Sequence, residues 1–184
     1  MSPLKLFTIG HSTRTLEEFA EAMLAHGVRA VADVRRFPGS RKLPWFGAHN
    51  MAVALPKLGL EYWPFPELGG RRKVLPDSPN SGWRNQNFRG YADYMQTPQF
   101  AAALERLIEK AKSIPTAIMC AEAVPWRCHR SLIADAMLIR GWNVLDIYDA
   151  KKIAAHKLTP FAKVNGTDII YPAAENPAPE PELF

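Results

Sequence analysis

Short apolar runs alternate with segments of helical periodicity along most of the chain. The apolar runs predict five strands, over residues 4–9, 28–34, 60–65, 115–121 and 143–148. The segments between them predict five helices, over residues 15–27, 48–58, 90–95, 97–112 and 131–140. Strands that alternate with helices in this way favour an α/β fold. We therefore expect a single three-layer domain with a mainly parallel, Rossmann-like sheet of about five strands.

Local signals set several boundaries. Thr15 and Glu18 have the spacing of a capping box, and Thr97 followed by Pro98 is typical of a helix start. Residues 66–88 form a long irregular segment, which in a compact domain is usually functional or mobile. Residues 167–171 are expected to form a last edge strand. The domain is thus expected to cover residues 1–171, followed by a disordered, proline-rich tail over residues 172–184.

Composition narrows the class of protein. Of the 184 residues, 47% are hydrophobic and 22% are charged, which excludes wholesale disorder. Two cysteines are too few for a disulfide scaffold. No apolar run reaches the roughly 20 residues that a membrane span needs, and His11 comes too early for a signal peptide. We therefore expect a cytoplasmic protein with no membrane partner.

Positive charge is concentrated in residues 35–89, which contain ten basic residues and three acidic ones. The segment's net charge of 10 − 3 = +7 is larger than the net charge of the whole chain, which is +5. Eight aromatic residues lie in the same segment. Such a mixture is typical of surfaces that bind a nucleotide or nucleic acid, although solvated basic loops above an aromatic core would give the same pattern. The rings expected to stack on a base are Trp45, Trp83 and Phe88.

Polar side chains follow three of the predicted strands. The carboxyl ends of parallel strands share one edge, and α/β proteins bind ligands there. The residues after the first strand include His11, Ser12 and Arg14, and those after the second include Asp33, Arg35 and Arg36. The residues at and after the end of the fourth strand include Cys120, Glu122, Arg127, Cys128, His129 and Arg130. This convergence is the main functional signal in the sequence.

Cys128 is the candidate nucleophile. It lies at the start of a predicted helix between Arg127 and Arg130, and helix N–H groups and cations favour a thiolate or a bound phosphate. The alternative is a buried structural cysteine beside a capping His129. Glu122 follows an apolar strand, where it would act as an acid–base group or form an ion pair with an arginine.

Several known motifs are absent or incomplete. The chain has neither GxxxxGK[ST] nor GxGxxG, and the cysteine and histidine spacings match no zinc motif, so we expect no cofactor and no metal. Six residues separate Cys120 from Arg127, whereas the phosphate loop of tyrosine phosphatases has five. The intervening AEAVPW also lacks the glycines of such a loop, so this interpretation is disfavoured.

Five segments resemble the domain of unknown function 488 family of uncharacterised bacterial proteins. They are TIGHSTRTLEEF, DVRRFPGS, ELGGRR, SGWRNQNFRGYADYM and CAEAVPWRCHR, in this order. The resemblance runs from about Leu6 to Tyr148 and implies a shared polar site without naming its chemistry. The corresponding positions are Gly10, His11, Ser12, Asp33, Arg35, Gly69, Gly70, Arg71, Cys120, Glu122, Cys128, His129 and Arg130.

The leading hypothesis is an intracellular hydrolase or transferase that acts on a nucleotide or nucleic acid. The predicted catalytic residues are His11, Asp33, Glu122, Cys128 and His129. The predicted phosphate-binding residues are Ser12, Arg14, Arg35, Arg71, Arg127 and Arg130. Two other functions stay open. One is a non-catalytic nucleic-acid-binding module. The other is a redox or sulfur-handling protein that uses Cys120 and Cys128, whose Cα atoms would then lie within about 7 Å.

Overall fold

A six-stranded sheet forms the centre of the molecule in a computed structural model that describes residues 4–174. Its strands are β1 (Lys5–Gly10), β2 (Ala30–Asp33), β3 (Glu61–Pro64), β4 (Thr116–Cys120), β5 (Asn143–Ile147) and β6 (Ile153–Ala155). They lie in the order β3-β2-β4-β1-β5-β6. The first five pair in parallel, and β6 runs antiparallel to β5. The predicted α/β fold with a mainly parallel, Rossmann-like sheet is confirmed.

Five α-helices cover the two faces of this sheet. They are α1 (Leu16–Ala25), α2 (Ala48–Lys57), α3 (Gln86–Tyr94), α4 (Pro98–Ser113) and α5 (Arg130–Leu138). The first two pack on one face, where side chains such as Phe19 and Met51 meet Phe7 and Ile9. The other three pack on the opposite face around Leu6. Successive residues of β1 point to opposite faces of the sheet, so one short apolar strand contributes to both cores.

The predicted capping signals start their helices. The Thr15 hydroxyl accepts a hydrogen bond from the Glu18 N–H at 3.1 Å, and the Glu18 carboxylate accepts one from the Thr15 N–H at 2.8 Å. The Thr97 hydroxyl caps α4 by accepting a hydrogen bond from the Phe100 N–H at 3.3 Å. Helix α3 begins four residues before the predicted start because the Asn85 side chain accepts hydrogen bonds from the first-turn N–H groups.

The prediction for the end of the chain needs a correction. Asp168–Ile170 (β8) does not extend the central sheet but pairs with Lys163–Asn165 (β7) in a separate two-stranded sheet. The edge strand is instead β6, which the sequence analysis did not identify. The Asp149 carboxylate accepts hydrogen bonds from the Lys151 and Lys152 N–H groups, and this tight turn sends the chain back along β5.

Two sequence-based expectations concern the chain beyond the core. Residues 175–184 of the predicted tail lie outside the described residues. Among residues 4–174, no helix is both long enough and apolar enough to cross a bilayer.

A buried polar network joins the sheet to the segment after β6. His156 bridges two carboxylates, with Nδ1 3.0 Å from Asp146 and Nε2 3.0 Å from Asp135. The Tyr171 hydroxyl also donates to Asp135, at 3.0 Å, and the Thr8 hydroxyl donates to Asp146 at 2.6 Å. Burial alone would lower the pKa of His156, but the two carboxylates outweigh it and raise this pKa to about 9. The bridging imidazole is therefore charged at neutral pH.

This network makes the stability of the fold pH-dependent. The pKa of His156 is about 9 in the folded chain and near 6.5 when unfolded, so its stabilisation is complete below pH 6.5 and is lost as the pH rises through 9. We expect the free energy of unfolding to fall by on the order of 2 kcal/mol over this interval. Urea denaturation of the wild type and His156→Gln across these pH values tests this. If the free energy of unfolding of His156→Gln fell as steeply over this pH range, His156 would not be the cause of the pH dependence.

Candidate functional site

A cavity of about 450 Å³ opens at the edge of the sheet where the parallel strands end. Its walls come from the segments that follow β1, β2 and β4 and from the segments around α3 and residues 70–71. The lining contains the arginines Arg35, Arg36, Arg71 and Arg127, the histidines His11 and His129, both cysteines and the carboxylate Glu122. The other lining residues are Phe37, Gly39, Ser40, Gly70, Asn85, Asn87, Phe88 and Ala121. Four guanidinium groups against one carboxylate give the cavity a positive charge.

Arg35 is fixed in place by Asp33 at the end of β2. The Asp33 carboxylate accepts hydrogen bonds from Arg35 Nε at 2.8 Å and Nη2 at 2.7 Å, and both residues are buried. The Phe46 carbonyl oxygen accepts a further bond from Nη2, and the Tyr62 hydroxyl donates to Asp33. The guanidinium is thus oriented before any ligand binds, because every bond that holds it belongs to the fold.

His11 accepts a hydrogen bond from Arg35 and is neutral. Its Nδ1 lies 2.9 Å from the Ser12 carbonyl oxygen, which assigns the proton to Nδ1 and leaves Nε2 to accept from Arg35 Nη1 at 3.3 Å. The ring stacks on Phe46 with centroids 4.2 Å apart. Burial lowers the pKa of His11 to about 4, so the imidazole stays uncharged at neutral pH.

The two cysteines lie together on the cavity wall. Cys120 ends β4, Cys128 precedes α5, and their sulfur atoms are joined in the structure. The Cα atoms are 7.3 Å apart, beyond the range of about 4.4–6.8 Å that disulfides usually span. Both cysteines line the cavity, so the joined sulfurs form part of its wall.

A buried guanidinium supports this sulfur pair. Arg130 Nη1 donates to Cys120 Sγ at 2.8 Å and to the Glu122 carbonyl oxygen, while Nη2 donates to the Ala123 carbonyl oxygen. Burial lowers the pKa of Arg130 to about 10, which still leaves it charged at neutral pH. In the described part of the chain it forms no ion pair with a carboxylate. Asp146 and Glu122 are close enough to raise the pKa of Arg130 electrostatically, which partly offsets the effect of its burial.

The His129 ring lies beside Cys128. Its Nε2 lies 2.8 Å from the Val34 carbonyl oxygen, which places the proton on Nε2 and leaves the Nδ1 lone pair 3.7 Å from Cys128 Sγ. Burial lowers the pKa of His129 to about 4, so the ring is neutral. Gly70 passes close over this ring, where a Cβ would lie 3.1 Å from Nδ1. The Cys128 sulfur, the His129 imidazole and the Val34 carbonyl oxygen thus lie in a row on the cavity side of α5.

Unusual backbone conformations also occur at this edge. Ser12 and Arg71, with φ of 50° and 59°, are the non-glycine residues with positive φ in the described part of the chain. Both are next to or within the cavity lining. Gly10 has no room for a Cβ, which would overlap the Glu122 carbonyl oxygen across the β1–β4 contact. Strain and close backbone approach of this kind are frequent at ligand-binding sites.

The structure brings most of the predicted site residues to the cavity and places others beside it. The predicted residues in the lining are His11, Arg35, Arg71, Phe88, Glu122, Arg127, Cys128 and His129. Asp33 and Ser12 hold lining residues through hydrogen bonds. Arg14 donates instead to the Gly10 and Tyr148 carbonyl oxygens, and Arg130 lies behind the cysteines.

Two of the three predicted stacking rings lie outside the lining. Trp83 packs between Phe88, at a centroid distance of 4.8 Å, and Phe161, at 4.9 Å. Trp45 is partly exposed and donates from Nε1 to the Arg14 carbonyl oxygen at 3.0 Å.

Sequence reasoning missed several residues of the lining and its surroundings. Phe37, Ser40, Asn85 and Asn87 line the cavity, and the exposed Trp126 precedes Arg127. Phe37 and Trp126 lie within the DVRRFPGS and CAEAVPWRCHR segments, so closer attention to their aromatic positions would have found them. Among residues 4–174, no three His, Cys, Asp or Glu side chains are arranged to hold a metal ion.

Comparison with known proteins identifies the family but no activity. No curated protein and no solved structure gives a significant match to this chain. The domain of unknown function DUF488 matches residues 15–137, about two thirds of the chain, from the capping residue of α1 to the end of α5. This range contains every lining residue except His11. The chain belongs to the DUF488 family.

Proposed function

We propose that the chain is an enzyme, a hydrolase or transferase, that acts on a phosphate group of a nucleotide or nucleic acid. One observation carries the proposal: a single cavity contains four arginines, one carboxylate and a Cys128–His129 pair oriented by the Val34 carbonyl oxygen. Cations that surround a candidate nucleophile are the arrangement that phosphoryl transfer requires.

The charge and size of the cavity support a phosphate ligand. Arginine presents several donors in a planar fork that matches phosphate oxygens, and Arg35 is already oriented by Asp33. Arg71 and Arg127 are exposed at the cavity and free of the ion pairs that the structure forms elsewhere among the described residues. A volume of about 450 Å³ lies in the range of sites that hold a molecule of nucleotide size.

The proposed reaction uses the sulfur of Cys128. As Cys128 attacks phosphorus, its thiol proton passes by way of His129 Nδ1, 3.7 Å from the sulfur, toward the leaving oxygen, and the imidazole is neutral again when the transfer is complete. The P–O bond to the leaving group breaks and the leaving oxygen takes the proton that Cys128 released, while the Glu122 carboxylate accepts the proton of the incoming water or acceptor hydroxyl. Water then releases the phosphoryl group in a hydrolase, whereas an acceptor hydroxyl does so in a transferase. Before this reaction an external thiol must reduce the bond between Cys120 and Cys128 that the structure shows, which gives two protonated thiols and oxidises the reductant.

Removing one cavity arginine tests the phosphate assignment. We expect Arg71→Ala and Arg127→Ala each to weaken binding of pyrophosphate and ADP by about tenfold, since a charge-assisted hydrogen bond contributes about 1.5–3 kcal/mol. Isothermal titration calorimetry of the reduced protein measures this. Arg84→Ala is the matched control, because Arg84 is exposed in the same basic segment but outside the lining. An equal effect in all three variants, or no binding by the wild type, would contradict the assignment.

The contact between the two sulfurs favours a second candidate function, thiol–disulfide exchange. In that reaction Cys120 and Cys128 lose two protons and pass two electrons to a disulfide substrate, which becomes two thiols. This function needs both cysteines equally. The phosphate reaction needs Cys128 and uses Cys120 only as a hydrogen-bond acceptor for Arg130, so single cysteine variants separate the two functions.

A further inference from the structure

We infer that the substrate of the proposed reaction is single-stranded nucleic acid, held by exposed aromatic rings at the cavity and beside it. The inference rests on the proposed function for its phosphate site and adds the substrate class. The large aromatic side chains that are exposed in residues 4–174 are Phe37, Trp45 and Trp126. All three belong to the segments that follow β2 and β4, which also form the cavity. The other large exposed hydrophobic residues there are aliphatic: Leu4, Val53, Leu75 and Val164.

Two of these rings are adjacent in sequence to arginines that line the cavity. Phe37 is 66% exposed, lines the cavity and follows Arg36, whose guanidinium lies 5.4 Å from the centre of the Phe37 ring. Trp126 is 64% exposed and precedes the lining residue Arg127 in the turn after β4. Contact of a large aromatic ring with water is unfavourable and is removed when a partner covers the ring, so exposed rings beside a cavity mark a binding surface.

The pairing of exposed rings with arginines matches a polynucleotide strand. Bases stack on aromatic faces while guanidinium groups bind the phosphates between them, and this mode tolerates any sequence. Arg36 also donates from Nη1 to the Arg71 carbonyl oxygen at 2.9 Å. This hydrogen bond joins the segment after β2 to residues 70–71, so their arginines lie along the same side of the cavity. One nucleotide would occupy the cavity, and its neighbours in the strand would stack on Phe37 and Trp126.

A single strand fits this surface better than a duplex or a free nucleotide does. Duplex bases are already stacked and paired, so their faces are not available to protein rings. A free nucleotide would fill the cavity but would leave Trp126, which is outside the lining, uncovered. The chemistry does not distinguish DNA from RNA, because both present the same bases and phosphates.

Fluorescence anisotropy with a labelled oligonucleotide of about 12 nucleotides tests the inference. The probes are the same mixed sequence as single-stranded DNA, single-stranded RNA and duplex DNA. We expect Phe37→Ala and Trp126→Ala each to weaken single-strand binding about tenfold, and the duplex to bind at least about tenfold more weakly than the single strand. Trp126→Ala should bind ADP like the wild type. Val53→Ala and Val164→Ala are matched controls, since they shorten exposed apolar side chains on α2 and β7.

The outcomes separate this inference from the proposed function. Wild-type affinity in both ring variants, equal binding of duplex and single strand, or ADP binding without oligonucleotide binding would each overturn the single-strand assignment. The last result would leave the proposed phosphate site intact. Conversely, ring-dependent binding of the strand with no phosphate chemistry would support this inference and refute the enzyme.

Discussion

Cys128→Ser is expected to lower the turnover of a phosphate-containing substrate by about 10³-fold or more while leaving the fold intact. The Cys128 sulfur is the proposed nucleophile, and a serine hydroxyl beside a neutral imidazole whose pKa is about 4 is a much weaker one. The buried site accepts serine because the two side chains have similar size and the Arg130 N–H can donate to either. Steady-state kinetics on purified, reduced protein measures the effect, with thermal unfolding as the check on folding.

Cys120→Ser is the matched control for this prediction. Serine keeps an acceptor for the Arg130 guanidinium, so we expect a loss of only about tenfold. If both variants lost all activity, thiol–disulfide exchange would replace the phosphate reaction. If neither lost activity, the non-catalytic nucleic-acid-binding module would be the better account.

Asp33→Ala is expected to destabilise the fold more than any surface substitution, by about 3–5 kcal/mol. Asp33 and Arg35 are buried, and removal of the carboxylate would leave a guanidinium without its counterion. The Tyr62 hydroxyl would also lose its acceptor. Because Arg35 holds His11, a partly folded variant should lose ligand affinity as well. Urea denaturation measures the first effect, and titration with pyrophosphate measures the second.

Glu67→Ala is the control for the loss of an ion pair. Glu67 and Arg106 are 3.3 Å apart, but their side chains are 47% and 54% exposed. Surface pairs of this kind contribute at most about 1 kcal/mol. If Asp33→Ala also lowered the free energy of unfolding by no more than about 1 kcal/mol, the buried Asp33–Arg35 pair would not be what stabilises this part of the fold.

The central sheet was predictable from the sequence because its strands are buried on both faces. The residues of β1 and β4 are almost all buried, so they appear as continuous apolar runs. Thr15 and Glu18 marked the start of α1 for an equally local reason. Because the carboxyl ends of parallel strands meet at one edge of the sheet, the polar residues after β1, β2 and β4 could also be predicted to lie close together.

Other features depend on long-range contacts that no local pattern records. β6 has only three residues, Ile153–Ala155, which is too short for its apolar run to stand out from a loop. β8 pairs with β7, whose three residues are all exposed. Arg14 and Arg127 both follow strands, yet Arg14 turns to backbone carbonyls of β1 and of the segment after β5. Only the packed structure separates arginines that hold the edge together from those that line the cavity.

The measurement that tests the account most directly is the mass of the reduced protein after brief reaction and quenching in denaturant. The protein would be mixed separately with a nucleoside diphosphate and with a single-stranded oligonucleotide. The account predicts an added phosphoryl or nucleotidyl group on the peptide that contains Cys128, and no such adduct in Cys128→Ser. Substrate turnover without an adduct at Cys128, or an adduct that persists in the variant, would contradict it.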